Sequence, residues 1–74
     1  MLNDVRVELY FHDRDKTLVA YIKDTTPDAI NLAWTEAVHN DMKLFTLTDA
    51  NGSRLSIRVN RVEMLVASLY NLGR

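Results

Sequence analysis

Thr25-Thr-Pro-Asp-Ala-Ile-Asn-Leu-Ala-Trp-Thr-Glu-Ala-Val-His39 begins with a helix start signal and continues as an apolar stripe. Thr26 is placed to accept hydrogen bonds from the first free backbone N–H groups. Pro27 gives up a donor that had no partner at a first helical position, and Asp28 favours the positive end of the helix dipole. Ala29, Ile30, Ala33, Trp34, Ala37 and Val38 then recur at three- and four-residue spacing, with Asn31, Thr35 and Glu36 facing water. The spacing predicts a helix ending near His39-Asn40, its alanines and single Trp suited to lying close over a sheet.

Strand patterns flank this helix on both sides. Before it, Val5, Val7, Leu9 and Phe11 alternate with Arg6, Glu8, Tyr10 and His12. The charged run Asp13–Lys16 interrupts, and Leu18, Ala20 and Ile22 resume the alternation opposite Val19, Tyr21 and Lys23. The pattern predicts a hairpin over about residues 4–24, with Tyr10, Val19 and Tyr21 on its outer side. After the helix, Leu44–Thr48 is rich in strand formers. Asn51-Gly52 signals a hairpin turn of type I′, and the return strand runs from about Ser53 to Val59.

Beyond Val59 two readings stay open. One is a helix with an Asn60 cap, Glu63 as its capping-box partner and a stripe of Val62, Leu65, Val66 and Leu69. The other is a tight turn at residues 60–62 followed by a strand over Glu63–Ser68, and this one is preferred. The expected architecture is α+β in the order β-β-α-β-β-(β or short helix), with one helix packed on one face of an antiparallel sheet.

Seventy-four residues make a single small domain. Chains of this size draw only roughly 3–5 kcal/mol from one core, and disulfides, metals or oligomerisation often supplement it. The sequence contains no Cys, so disulfides and thiolate metal sites are excluded. Self-association is the remaining support. The formal net charge is −1, which gives no bulk attraction to phosphate or anionic lipid. The opening residues mix charge with apolar side chains, unlike a signal peptide, and no apolar run approaches the ~18 residues of a membrane span. The expectation is a cytoplasmic protein with no membrane partner.

Leu47-Thr-Asp-Ala-Asn-Gly-Ser-Arg54, with Val59 and Arg61-Val62, resembles the C-terminal half of a family of small bacterial proteins of unknown function. In that family a β-hairpin and a helix precede an "LTDxxGxR" hairpin and a final strand. The resemblance implies topology, including a terminal strand, and transfers no functional residue. The longer first hairpin and the hydrophobic tail Leu69–Leu72 depart from the pattern.

Chemistry finds little support. His12 and His39 stand at element ends without ligands at metal-binding spacing, and Asp49-x-Asn51-Gly52 does not fit a calcium loop. Ser53, Ser56 and Ser68 lack a nucleophile elbow or an oxyanion loop, and no phosphate-cradling Gly-rich loop is present. Asp13 and Asp15 lie in an exposed loop with nothing to raise a carboxyl pKa. The expectation is a non-enzymatic protein without cofactors. The Trp34 stripe reads as core rather than as the wall of a ligand pocket.

The return strand is more informative. Arg54 and Arg58 alternate with Leu55, Ile57 and Val59, and a sheet face that joined them to Arg6, Lys23, Tyr10 and Tyr21 would carry both cations and aromatic platforms. Single-stranded nucleic-acid binders use such surfaces. Glu8 and Ser56 interleave with these cations, and the chain is acidic, so a protein partner is preferred to nucleic acid. Tyr10, Tyr21, Arg54 and Arg58 are the expected partner contacts. Leu69, Tyr70 and Leu72 are expected to serve homo-oligomerisation. A nucleic-acid-binding regulator using the same face is the alternative. A binder of a small anionic ligand between subunits, again through Arg54 and Arg58, is a further one.

Overall fold

Alternation in the first segment produces β1, Asn3–Phe11, the centre of a three-stranded antiparallel sheet. Val5, Val7 and Leu9 are fully buried on one side of it, while Arg6, Glu8 and Tyr10 are half-buried on the other. The computed structural model describes residues 3–70. Strand β2, Leu18–Thr25, pairs with β1 so that Tyr21 faces Arg6 and Val19 faces Glu8. Between the pairs Asn3–Thr25 and Val5–Ile22, β2 carries one residue more than β1. Asp24 takes up the difference at φ 55°, a left-handed conformation that Asp tolerates better than most side chains.

Helix α1, Pro27–His39, starts where its capping chemistry places it. Thr26 is extended, and its hydroxyl oxygen accepts from the Ala29 N–H at 3.1 Å. Such a cap contributes about 1 kcal/mol. The helix ends in a Schellman turn. Asp41 is left-handed at φ 53°, its N–H donates to the Val38 carbonyl, and the Met42 N–H donates to the Ala37 carbonyl at 2.9 Å. The apolar stripe is narrower than its spacing suggested. Ile30 and Ala37 are buried and Trp34 is half-buried, whereas Ala29, Ala33 and Val38 are exposed.

Strands β3, Leu44–Thr48, and β4, Arg54–Arg58, form a separate two-stranded ribbon rather than extending the sheet. Phe45, Leu47 and Ile57 point inward; Arg54, Ser56 and Arg58 point out. The turn between them is not type I′, because Gly52 has positive φ (88°) and Asn51 does not. The Gly52 N–H donates to the Asp49 carbonyl, and the Asp49 N–H to the Ser53 carbonyl. Three residues therefore form the loop, with Gly52 in the left-handed position that closes it. The Asp49 carboxylate accepts from the Asn51 N–H at 3.1 Å, an Asx turn that favours this longer form.

The open question after Val59 resolves as one short 3₁₀ turn, Val59–Arg61, followed by β5, Val62–Tyr70. Arg61 falls in phase with inward residues on the sequence, yet the turn rotates it out to pair with Asp13 at 2.8 Å. Strand β5 returns antiparallel along β1, giving the order β2-β1-β5. Helix and ribbon share the inner side of this sheet: α1 packs chiefly on β5, and the Trp34 ring meets Phe45 of β3 edge-on at 5.2 Å. The ribbon's turn reaches β2, where the Ala50 N–H donates to the Tyr21 carbonyl. One core, from Val5 through Ile30 and Phe45 to Val62, joins all these elements. The fold is α+β, with the helix packed against one side of the antiparallel sheet.

Candidate interaction face

No helix or strand among the described residues covers the outer side of β2-β1-β5. Register alone assembles this face. Arg6, Glu8 and Tyr10 run down its middle, Tyr21 and Val19 flank them on β2, and Ser68, Val66 and Met64 flank them on β5. The polar groups are tied to one another. Arg6 Nη1 lies 2.7 Å from Glu8 Oε1, and the Tyr10 hydroxyl donates to Glu8 Oε2 at 3.2 Å. The Arg6 guanidinium is held protonated above its usual range, first by its hydrogen bond to the Tyr21 hydroxyl and then by the Glu8 charge, with desolvation opposing. Glu8 in turn raises the Tyr10 hydroxyl pKa, through the hydrogen bond and then through its charge.

At one end of the face the Tyr21 and Tyr70 rings meet at 4.9 Å and 46°. Asp4 shares their side of β1, opposite Tyr70 in the register, and is fully buried. This end is packed, while Met64 and Tyr70 still offer apolar surface, 49% and 40% exposed.

Tyr10 and Tyr21 therefore share one face as the sequence pattern suggested, with Arg6 opposite Tyr21 and Glu8 between Arg6 and Tyr10. Arg54 and Arg58 do not join them. They point outward from the ribbon, in the other layer, so the expected continuous basic and aromatic sheet face divides in two. Leu69 lies at the end of β5 and is 65% exposed. Tyr70, expected in the oligomerising tail, is the last residue of β5 and lies on the outer face, and Leu72 lies outside the described residues.

Two open grooves occur elsewhere. The larger, of about 870 Å³, runs past Trp34, Val38, Met42, Leu44, Arg58 and Val62, where the helix end meets the ribbon. The smaller, of about 510 Å³, lies between the first hairpin loop and β4 and is lined in part by Arg14, Ser56, Arg58 and Arg61. Arg14 stacks over the Phe11 ring at 5.6 Å there, and Arg61 holds Asp13. Sequence reasoning missed this convergence. Arg14 and Arg61 come from a loop and a turn, and the pairing of Phe11 with Val62, the bond from the His12 N–H to the Arg61 carbonyl and the Arg61–Asp13 pair bring these segments together.

No known protein family matches the chain, and no curated protein does. No helix among the described residues is long and apolar enough to cross a membrane.

Proposed function

We propose that this protein is a small non-enzymatic interaction module that associates with itself and presents the outer face of β2-β1-β5 to a protein partner. The observation that carries the reading is the uncovered face itself. Tyr10, Tyr21 and Tyr70 are fixed beside Val19, Val66 and Met64, and the central charges Arg6 and Glu8 neutralise each other. Preset aromatic rings with paired rather than net charge suit the centre of a protein interface, where large rigid side chains contribute most and lone charges cost most.

The test is a comparison of Tyr21→Ala with the parent chain. Tyr21→Ala should abolish co-purification of the protein partner from the host or change the oligomer mass in light scattering, while far-ultraviolet circular dichroism is unchanged. If both binding and mass are unaffected, the face is idle and the reading fails. Titration with fluorescent single-stranded oligonucleotides at two salt concentrations separates the nucleic-acid alternative, since phosphate contacts give a steep salt slope.

A second reading has its own observation. Arg14, Arg58 and Arg61 converge with Ser56 on the smaller groove, a setting for a small anion such as a phosphate ester. A thermal-shift screen with nucleotides and inorganic phosphate tests it: stabilisation in the parent that is lost in Arg58→Glu supports the groove, and no stabilisation excludes it.

A further inference from the structure

The two edges of the three-stranded sheet are treated differently by the sequence. Edge strands expose unpaired backbone groups, and proteins guard them with charges, bulges, proline or short length. Strand β2 is guarded: Lys23 and Asp24 are charged, a bulge interrupts the strand beside them, and the Ala50 N–H caps the Tyr21 carbonyl. Strand β5 is not. Its only charged residue is Glu63, at its beginning, and its bulge lies at that same end. The remaining run, Met64-Leu-Val-Ala-Ser-Leu-Tyr70, carries no charge and no proline, and no strand among the described residues lies on its far side.

We infer that two copies pair β5 against β5, antiparallel about a two-fold axis at Ala67, to form one six-stranded sheet. The register follows from the residues. Facing residues of an antiparallel pair must point the same way across the ladder and to the same face, so the axis passes through a residue that meets itself. With the axis at Ala67, Leu65 faces Leu69 of the second copy, Met64 faces Tyr70, and Val66 faces Ser68. The exposed apolar residues of the strand, Met64, Leu69 and Tyr70, each gain an apolar partner. An axis at Val66 would set Leu69 against Glu63, and one at Ser68 would leave Met64 and Leu65 without a partner in the strand.

The helix leaves room for this pairing. The Trp34 contact with Phe45 turns one flank of α1 toward the ribbon, so the opposite flank, carrying the exposed Ala29 and Ala33, faces away from the ribbon. Small side chains there let the helices of the two copies lie on the same side of the joined sheet.

This inference rests on the self-association proposed above, and its test separates the two. The full chain should show twice its 8.5 kDa mass in light scattering. Leu69→Lys should weaken the dimer by about tenfold or more while circular dichroism stays unchanged, since a cation would face Leu65. The chain has no native Cys to interfere with cross-linking. Ala67→Cys should cross-link to itself on oxidation, because facing Cα atoms lie about 4.5–5.5 Å apart, within disulfide reach. Val66→Cys and Ser68→Cys on the outer face should each stay uncross-linked alone and cross-link when mixed, which tests the register even if Ala67→Cys does not fold. A monomer at every concentration overturns both readings. A dimer that ignores Leu69→Lys, or that cross-links in neither arrangement, overturns the edge pairing and leaves self-association standing.

Discussion

Replacing Asp41 with glycine tests how the chain leaves its helix. Asp41 holds the left-handed position of the Schellman turn, at φ 53°, where a glycine usually stands. An L side chain there costs about 1–2 kcal/mol, toward the low end for Asp. Glycine removes that cost but loosens the unfolded chain by about 0.4–1 kcal/mol. The carboxylate also sits against the negative end of the helix dipole, unfavourable by about 0.3–1 kcal/mol. The sum is a gain of about 1 kcal/mol for Asp41→Gly, or about 4–8 °C in Tm for a domain of this length. Thermal unfolding followed by circular dichroism, at one protein concentration so that any self-association contributes equally, measures it. Asp41→Asn keeps the shape and removes the charge, so it should recover only the dipole part, and that part should shrink at high salt. Asp24→Gly, at φ 55° in the β2 bulge, has the steric part without the dipole. A lower Tm for Asp41→Gly refutes the reasoning, since the turn would then depend on the Asp side chain rather than tolerate it.

Two further outcomes follow from the core and the outer face. Leu9 is fully buried, and Leu9→Ala should cost about 2–5 kcal/mol, enough to leave a domain of this size largely unfolded at 25 °C without denaturant. A urea midpoint close to that of the parent would show that the core closes over the gap. The Tyr10 hydroxyl has a raised pKa because it donates to Glu8, so its share of stability is complete below the ordinary tyrosine pKa and is lost as pH climbs through the raised one. Phenolate absorbance should show a late titration that moves to lower pH in Glu8→Gln; an unchanged titration in that variant would discount the hydrogen bond.

Local chemistry was legible in the sequence where it acts within a few residues. Thr26, Pro27 and Asp28 mark the helix start because a cap needs only its own first turn. Alternation in β1 and β2 placed Tyr10 and Tyr21 on one side, since a hairpin's register follows from its parity. What depends on long-range pairing stayed hidden. The return of β5 along β1 sets Tyr70 beside Tyr21, and nothing near Tyr70 announces that neighbour. The division of the strands into sheet and ribbon has the same origin, because β5, and not β3, takes the free side of β1. Left-handed residues at Asp24 and Asp41 carry no glycine to signal them. The helix stripe was read too wide because its spacing shows which residues could be buried, whereas β5 and Phe45 reach only the strip through Ile30, Trp34 and Ala37.

The separation of arginines from tyrosines bears directly on what the molecule can bind. A single-stranded nucleic acid needs cations and stacking rings along one track. Here the outer face has the rings, with Arg6 already engaged by Glu8 and Tyr21, while Arg14, Arg58 and Arg61 gather at a groove beside the ribbon. Pairing through β5 would sharpen the division. The two outer faces would join across the axis at Ala67 into one broader surface, with a Tyr21–Tyr70 cluster repeated on either side, and neither copy would cover the other's face. The arginine grooves are lined by β4, the first hairpin loop and Arg61, outside the paired run Met64–Tyr70. Such a dimer would enlarge an aromatic surface with balanced charge, which would favour a protein ligand broad enough to span both copies.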